Sequence, residues 1–158
     1  MSVDGSKFRI ACGHFATGVA IVTMRDREGA SHGLTANSFT SVSLEPPLVL
    51  VCVDKSISSY PAMVEAEGFL INILTDQQEE LARRFATPDI DKFDGVEFSP
   101  GDYEAARIPG CLAYVAARRY SQLDGGDHTI FIGEATDTEL GAGRPLIFYR
   151  GMYGVPGR

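Results

Sequence analysis

The sequence predicts a mainly β protein, an antiparallel sandwich or barrel with inserted helices. Three observations carry this. Short runs rich in Val, Ile, Phe, Tyr and Thr recur along the chain, punctuated by 17 glycines and 8 prolines, as strands separated by turns would be. Strands and helices do not alternate regularly, which disfavours a doubly wound sheet. The 158 residues show no repeat, low-complexity tract or linker, so one domain is expected over residues 1–158, with an ordered core over about residues 8–154. The composition, 44% hydrophobic and 22% charged, is that of an ordinary globular chain.

In chain order, strands are expected at Gly18 to Met24, Gly33 to Phe39, Leu48 to Val53, Phe69 to Leu74, Leu112 to Tyr120, Thr129 to Thr138 and Leu146 to Tyr149. A short helix around Ala62 to Glu67 starts at Pro61, where the missing N–H costs nothing, and stops at Gly68. A clearer helix runs from Asp76 to Ala86. Thr75 and Gln78 read as a capping box, acids lie near its start, and Arg83 and Arg84 lie near its end. Thr87 to Gly110 carries three prolines, several acids and little periodicity. It reads as a long surface excursion, often functional in a small domain.

Charge and motif content exclude several function classes. Fourteen basic against 21 acidic residues give a net charge of −7, so no general attraction to phosphate backbones is expected and nucleic acid is an unlikely partner by electrostatics. The longest apolar run, Leu48 to Val53, is far short of a membrane span, and the N-terminus lacks a secretory layout. Cys12, Cys52 and Cys111 are odd in number and form no CxxC pair, against a disulfide framework or thiolate metal site. A cytoplasmic protein without metal is expected. Gly141 and Gly143 begin a dinucleotide fingerprint, but Leu146 occupies the third glycine position. The acidic stretch at Asp89, Asp91, Asp94 and Gly95 has Phe93 and Pro100 where a calcium loop needs ligands. His14, His32 and His128 are isolated, and no phosphate loop or nucleophile elbow occurs.

One segment carries a positive signal. In GLTANSFTSVSLEPPLVLVCV, Gly33 to Val53, small hydroxyl and amide residues fill a predicted strand and the turn after it. Small residues let a flat ligand lie against backbone, while Thr35, Asn37, Ser38, Ser41 and Ser43 supply polar groups around its edge. A polar edge strand with a serine-rich turn would look the same by physics alone.

Beyond composition, the chain resembles the flavin reductase like domain family, the FMN-binding split barrels that include reductase components of two-component flavin monooxygenases. The resemblance rests on FATGVAIVT (Phe15 to Thr23), GLTANSFTSVSLEPPLVLVC (Gly33 to Cys52), FLINIL with QQEELARRFA (Phe69 to Ala86), GDHTIFIGE (Gly126 to Glu134) and PLIFYRGMYG (Pro145 to Gly154). It implies a homodimeric antiparallel split β-barrel of Greek-key type. The implied activity is reduction of FMN or FAD by NADH or NADPH, with reduced flavin supplied to a separate monooxygenase. The cofactors would carry the hydride chemistry and the protein would set their stacking.

The resemblance also implies site residues. Thr35, Ala36, Asn37, Ser38, Ser41, Val42 and Ser43 would lie along the isoalloxazine, where donors near N1 and the C2 carbonyl stabilise the reduced ring. Cys52 ends the strand before a phosphate loop at Asp54 to Ser59, with Ser56 and Ser58 as binders and Arg84 reaching in beside Phe85 and Ala86. Taken alone, Arg84 reads as a helix C-terminal cation. His128, in the GDH motif, would orient nicotinamide or give a proton to reduced flavin, and is the expected catalytic residue; Tyr149 and Tyr153 would border the pocket. Lys92 and Phe93 fit a basic-plus-Phe pattern without a firm role, and Phe98 stands near a position where many members have Trp. The other reading is a flavin- or haem-binding split barrel without reductase turnover.

Overall fold

The amphipathic strand pattern produces a seven-stranded, wholly antiparallel sheet in a computed structural model that describes residues 2–157. A helix α1 (Gly5–Gly13) and a two-residue strand β1 (Thr17–Gly18) precede it. The sheet is built from β2 (Ala20–Arg25), β3 (Ser31–Ala36), β4 (Thr40–Leu44), β5 (Pro47–Asp54), β6 (Gly68–Ile73), and a long hairpin. The hairpin strands follow a short β7–β8 pair (Ser99–Pro100 and Ala106–Arg107) and are β9 (Ala113–Gly125) and β10 (His128–Leu140). Their order is β3-β2-β6-β9-β10-β5-β4. Helix α2 (Tyr60–Glu65) lies between β5 and β6, and α3 (Glu79–Phe85) follows β6 through a single 3-10 turn. Strands β11 (Ile147–Tyr149) and β12 (Met152–Gly154) join β1 in a small second sheet.

The two edge strands β3 and β4 are joined by only Asn37, Ser38 and Phe39. Ala36 and Thr40 can therefore be at most about 14 Å apart, whereas a flat seven-stranded sheet would be about 29 Å wide. The sheet must curl at that end to bring its edges together. Ser38 marks the seam. Its Oγ donates to the Cys52 carbonyl at 2.9 Å and accepts from the Cys52 N–H at 3.1 Å, replacing a backbone pair where β4 would otherwise continue along β5.

Strand alternation sends side chains into two cores. Ala20, Val22 and Met24 of β2 join Leu34, Ala36, Val49, Val51, Val53, Phe69 and Ile71 on one face, closed by Ala62 and Met63 of α2. Val19 and Ile21 join Leu70, Leu74, Ala82, Phe85, Tyr114 and Leu146 on the other. Both faces of β2 and β6 are thus covered.

Several boundaries differ from the sequence expectation for physical reasons. The strand expected at Gly33 to Phe39 ends at Ala36, because the chain turns there to cross the seam. The helix expected at Ala62 to Glu67 instead occupies Tyr60–Glu65; Ala66 is extended and feeds β6. The helix expected from Asp76 begins as a 3-10 turn, with the Gln78 side-chain oxygen accepting from the Thr75 N–H at 3.0 Å as half of the expected box. Helix α1 has no buried residue and so no apolar stripe to announce it. The segment Thr87 to Gly110 is not wholly superficial: Ala105, Ala106 and Ile108 are buried, Ala105 and Ile108 in the second core.

Candidate functional site

The predicted phosphate turn and the GDH turn are neighbours because β5 and β10 pair antiparallel. Asp54, at the end of β5, lies opposite His128, the first residue of β10. Lys55 secures the junction: its N–H donates to the Asp127 carbonyl at 3.0 Å, and its Nζ donates to the Gly126 carbonyl at 2.7 Å and pairs with the Asp124 carboxylate. Asp54 Oδ1 accepts from the Ser56 N–H at 2.8 Å and the Ser56 Oγ at 2.7 Å. The Ser56 N–H first, then its hydroxyl, hold the Asp54 carboxyl below its usual range, and the nearby His128 contributes. His128 is part-exposed, with Nδ1 2.7 Å from Asp127 Oδ1. Among the described residues its Nε2 has no protein partner.

The turn continues toward β3. Buried Ser59 donates its hydroxyl to the Gly33 carbonyl at 2.9 Å, and Lys92 Nζ reaches the same oxygen at 3.2 Å. Two residues along β3, the Thr35 hydroxyl donates to the Ala82 carbonyl at 2.6 Å, tying the strand to α3. A recess of about 190 Å³ opens beside this junction, lined by Val19, Thr35, Asn37, Ala86, Phe148 and Tyr153. Burial raises the Tyr153 phenol; its ring packs 5.3 Å from Phe148, and the Arg83 guanidinium lies 4.9 Å from its centroid.

Expected site residues therefore form two groups, with the others apart from both. Thr35, Asn37, Ala86 and Tyr153 surround one recess, while Asp54, Ser56, Ser58 and His128 share the adjoining turn region. Ala36 is core, and Cys52 is half-buried with burial raising its thiol. Phe85 is 1% exposed, its ring 5.1 Å from Phe93 and pressed against Gly33, where an added Cβ would meet it at 2.7 Å. Arg84 turns toward the excursion, donating from Nε to the Lys92 carbonyl at 2.8 Å and from Nη2 to the Asp91 carbonyl at 2.7 Å. Ser41, Val42 and Ser43 lie on the edge strand β4, where a register shift separates Ser41 from Ser43 and Val42 is exposed. Tyr149 is also exposed and meets His14 edge-on at 6.2 Å.

Sequence reasoning missed Val19 and Phe148 as lining residues, since both sit in runs that read simply as strand. It also gave Gly33 no part, although its carbonyl is where the serine turn and the excursion meet.

The hydroxyls of Thr35 and Ser38 are already engaged with protein carbonyls. Among the described residues, the side chains of Asn37, Ser41, Ser43 and Ser58 have no protein hydrogen-bond partner and remain available to a ligand. A flat heteroaromatic ring with a polar edge and an anionic tail fits this set: a narrow recess with aromatic walls, an amide at its mouth, and a serine turn flanked by a lysine.

Comparison with known proteins points the same way. A family model described as the flavin reductase like domain matches residues 12–156. The reductase component of a 4-nitrophenol 4-monooxygenase/4-nitrocatechol 2-monooxygenase from Rhodococcus opacus is 40% identical over 152 residues, covering 96% of this chain and 81% of that protein. An FMN reductase (NADH), SmoA, from Agrobacterium fabrum is 44% identical over 151 residues, covering 96% of this chain and 86% of that one. Among solved structures, the NADH:FAD oxidoreductase SgcE6 of Streptomyces globisporus C-1027, in complex with NAD and FAD fragments, superimposes with a TM-score of 0.89 at 36% identity. That likeness covers 98% of this chain and 95% of the other. Among the described residues no helix is long and apolar enough to cross a membrane.

Proposed function

The chain belongs to the flavin reductase like domain family, and from this premise we propose that it is an NAD(P)H:flavin oxidoreductase of the EC 1.5.1 type, reducing FMN or FAD and passing the product to a separate monooxygenase. The observation that carries the reading is the junction of the Thr35–Asn37 recess, the Asp54–Ser59 turn and the His128 turn on adjoining strands. Flavin supplies the hydride-accepting ring and nicotinamide the hydride. In this reading the recess takes the isoalloxazine, Asn37 and strand backbone meet its polar edge, and Ser56 and Ser58 lie on the phosphate side. Ser41, Val42, Ser43 and Tyr149 are assigned to the rim.

The curl that brings β3 to β4 supports a split barrel spanning the whole chain as one domain. Phe15 is 80% and Leu44 89% exposed, with Phe8, Ile10 and Val42 also uncovered; we assign these apolar side chains to a homodimer interface, with a cytoplasmic location. NADH consumption in air, with and without FMN or FAD, tests the function. Oxidation that depends on added flavin is expected. Flavin binding without oxidation of NADH or NADPH would overturn the reductase reading in favour of a binding module.

In this reading His128 orients nicotinamide, Asp127 fixing one ring nitrogen while Nε2 has no partner among the described residues. His128→Ala is expected to slow flavin reduction about ten- to a hundredfold while flavin affinity stays near the wild-type value. Stopped-flow reduction and fluorescence titration check this; unchanged kinetics would remove His128 from the mechanism.

A further inference from the structure

Lys92 is an unusual cation. Its ammonium is half-buried, and among the described residues its only hydrogen bond is to the Gly33 carbonyl and no carboxylate pairs with it. Lys55 of the serine turn, by contrast, is neutralised by Asp124. Burial without a counter-charge pushes the Lys92 ammonium down from its ordinary value, a cost that an anion docked beside it would remove. The position is set on two sides. Lys92 shares the Gly33 oxygen with Ser59, the residue directly after Ser58, so its charge stands at the serine turn.

Arg84 determines where Lys92 can be. Its guanidinium plane meets the Asp91 and Lys92 carbonyls with two nearly equal bonds, a fork that clamps the excursion backbone. Phe93, the next residue, is wedged between Phe85 and Phe98 with both centroids at 5.1 Å. The strap from Asp91 to Phe93 is therefore held by one arginine and one aromatic stack, and Lys92 projects from it toward β3.

We propose that Lys92 supplies the positive charge for the terminal phosphate of the flavin, and that Arg84 acts as a positioning residue by clamping the Asp91–Lys92 backbone rather than by touching the phosphate. This rests on the flavin reading above and assigns the anion end of that site. Two consequences separate Lys92 from a merely structural lysine: its effect depends on the ligand's phosphate, and the effect of Arg84 passes through it.

The test compares FMN with riboflavin, which carries the same ring without the phosphate, by fluorescence titration of the full chain. Lys92→Gln is expected to weaken FMN about tenfold, the scale of one charge-assisted hydrogen bond, and to leave riboflavin affinity unchanged. Lys92→Arg should restore most of the FMN affinity. Arg84→Gln should weaken FMN severalfold with riboflavin again unaffected. The double variant should be no weaker than Lys92→Gln alone, because the clamp has nothing left to position. Equal losses for FMN and riboflavin would overturn the proposal, as would a double variant whose losses multiply, since that would place Arg84 on the phosphate itself. A wild-type chain that binds neither compound would overturn the flavin reading, and this inference with it.

Discussion

Phe85→Ala is expected to lower stability by about 3–5 kcal/mol, the range for truncating a large buried aromatic side chain. The ring is 1% exposed in the second core and touches three separate elements. It fills the space left by the missing side chain of Gly33 on β3, stacks edge-on with Phe93 of the excursion, and anchors the last turn of α3. Removing it leaves a cavity that none of these can close, since Gly33 has no side chain and Phe93 is already held by Phe98. Urea denaturation should show a lower midpoint with an unchanged slope. A loss below about 1 kcal/mol would mean that the ring is not the packing hub described. The converse change, Gly33→Ala, is expected to destabilise through overpacking against the same ring, by about 1–3 kcal/mol.

Phe85 also shows what could and could not be read from residues alone. In the chain it sits in ARRFA, next to Arg84 and Ala86, and resemblance assigns the three together to the cofactor. The helix separates them by direction. Ala86 lines the recess, Phe85 points into the core, and Arg84 reaches the excursion. Helix phase against an unknown neighbour is a tertiary fact, so no spacing rule supplies it. Strands were legible where alternation met a buried face, as in β5, and where a short apolar run was buried on both faces, as in β2 and β6. What remained hidden was held by polar contacts that leave no periodic trace: the Ser38 seam, the Lys55 lock on the GDH turn, and helix α1, which buries nothing. The long hairpin β9–β10 extends at its turn past the expected ends, to Gly125 and His128, because its outer residues are exposed and need no apolar pattern.

The same logic applies to a buried amide beside the second core. Asn72 lies on β6, fully buried, on the face that alternation assigns to apolar side chains between Leu70 and Leu74. It is polar because the strand there faces the returning backbone of the excursion, where Ile108 lies just beyond the β7–β8 ladder and its N–H needs an acceptor. Asn72 Oδ1 accepts from the Ile108 N–H at 3.0 Å, and its Nδ2 donates to the Ile21 carbonyl at 3.0 Å and to Thr23 Oγ1 at 3.3 Å. The Thr23 hydroxyl in turn donates to the Ala106 carbonyl at 2.6 Å. Asn72→Leu keeps the branch at Cγ and leaves no cavity, so its cost is orphaned polar groups, chiefly the Ile108 N–H, with some overpacking from the larger side chain, at about 2–4 kcal/mol in total. Thr23→Val removes the donation to Ala106 and the acceptance from Asn72 and is expected to cost about 1–2 kcal/mol. The double variant should cost less than the two combined, because both act on the same short segment of backbone. Native-state hydrogen exchange adds the local reading: in Asn72→Leu the amides from Ala105 to Ile108 should lose protection while those of β9 and β10 change only with global stability. Additive losses with protection at Ile108 intact would mean that apolar packing of Ala105 and Ile108 alone holds the segment down. The amide would then be a tolerated polar group and not the fastening that keeps the excursion, and the strap bearing Lys92, on the sheet.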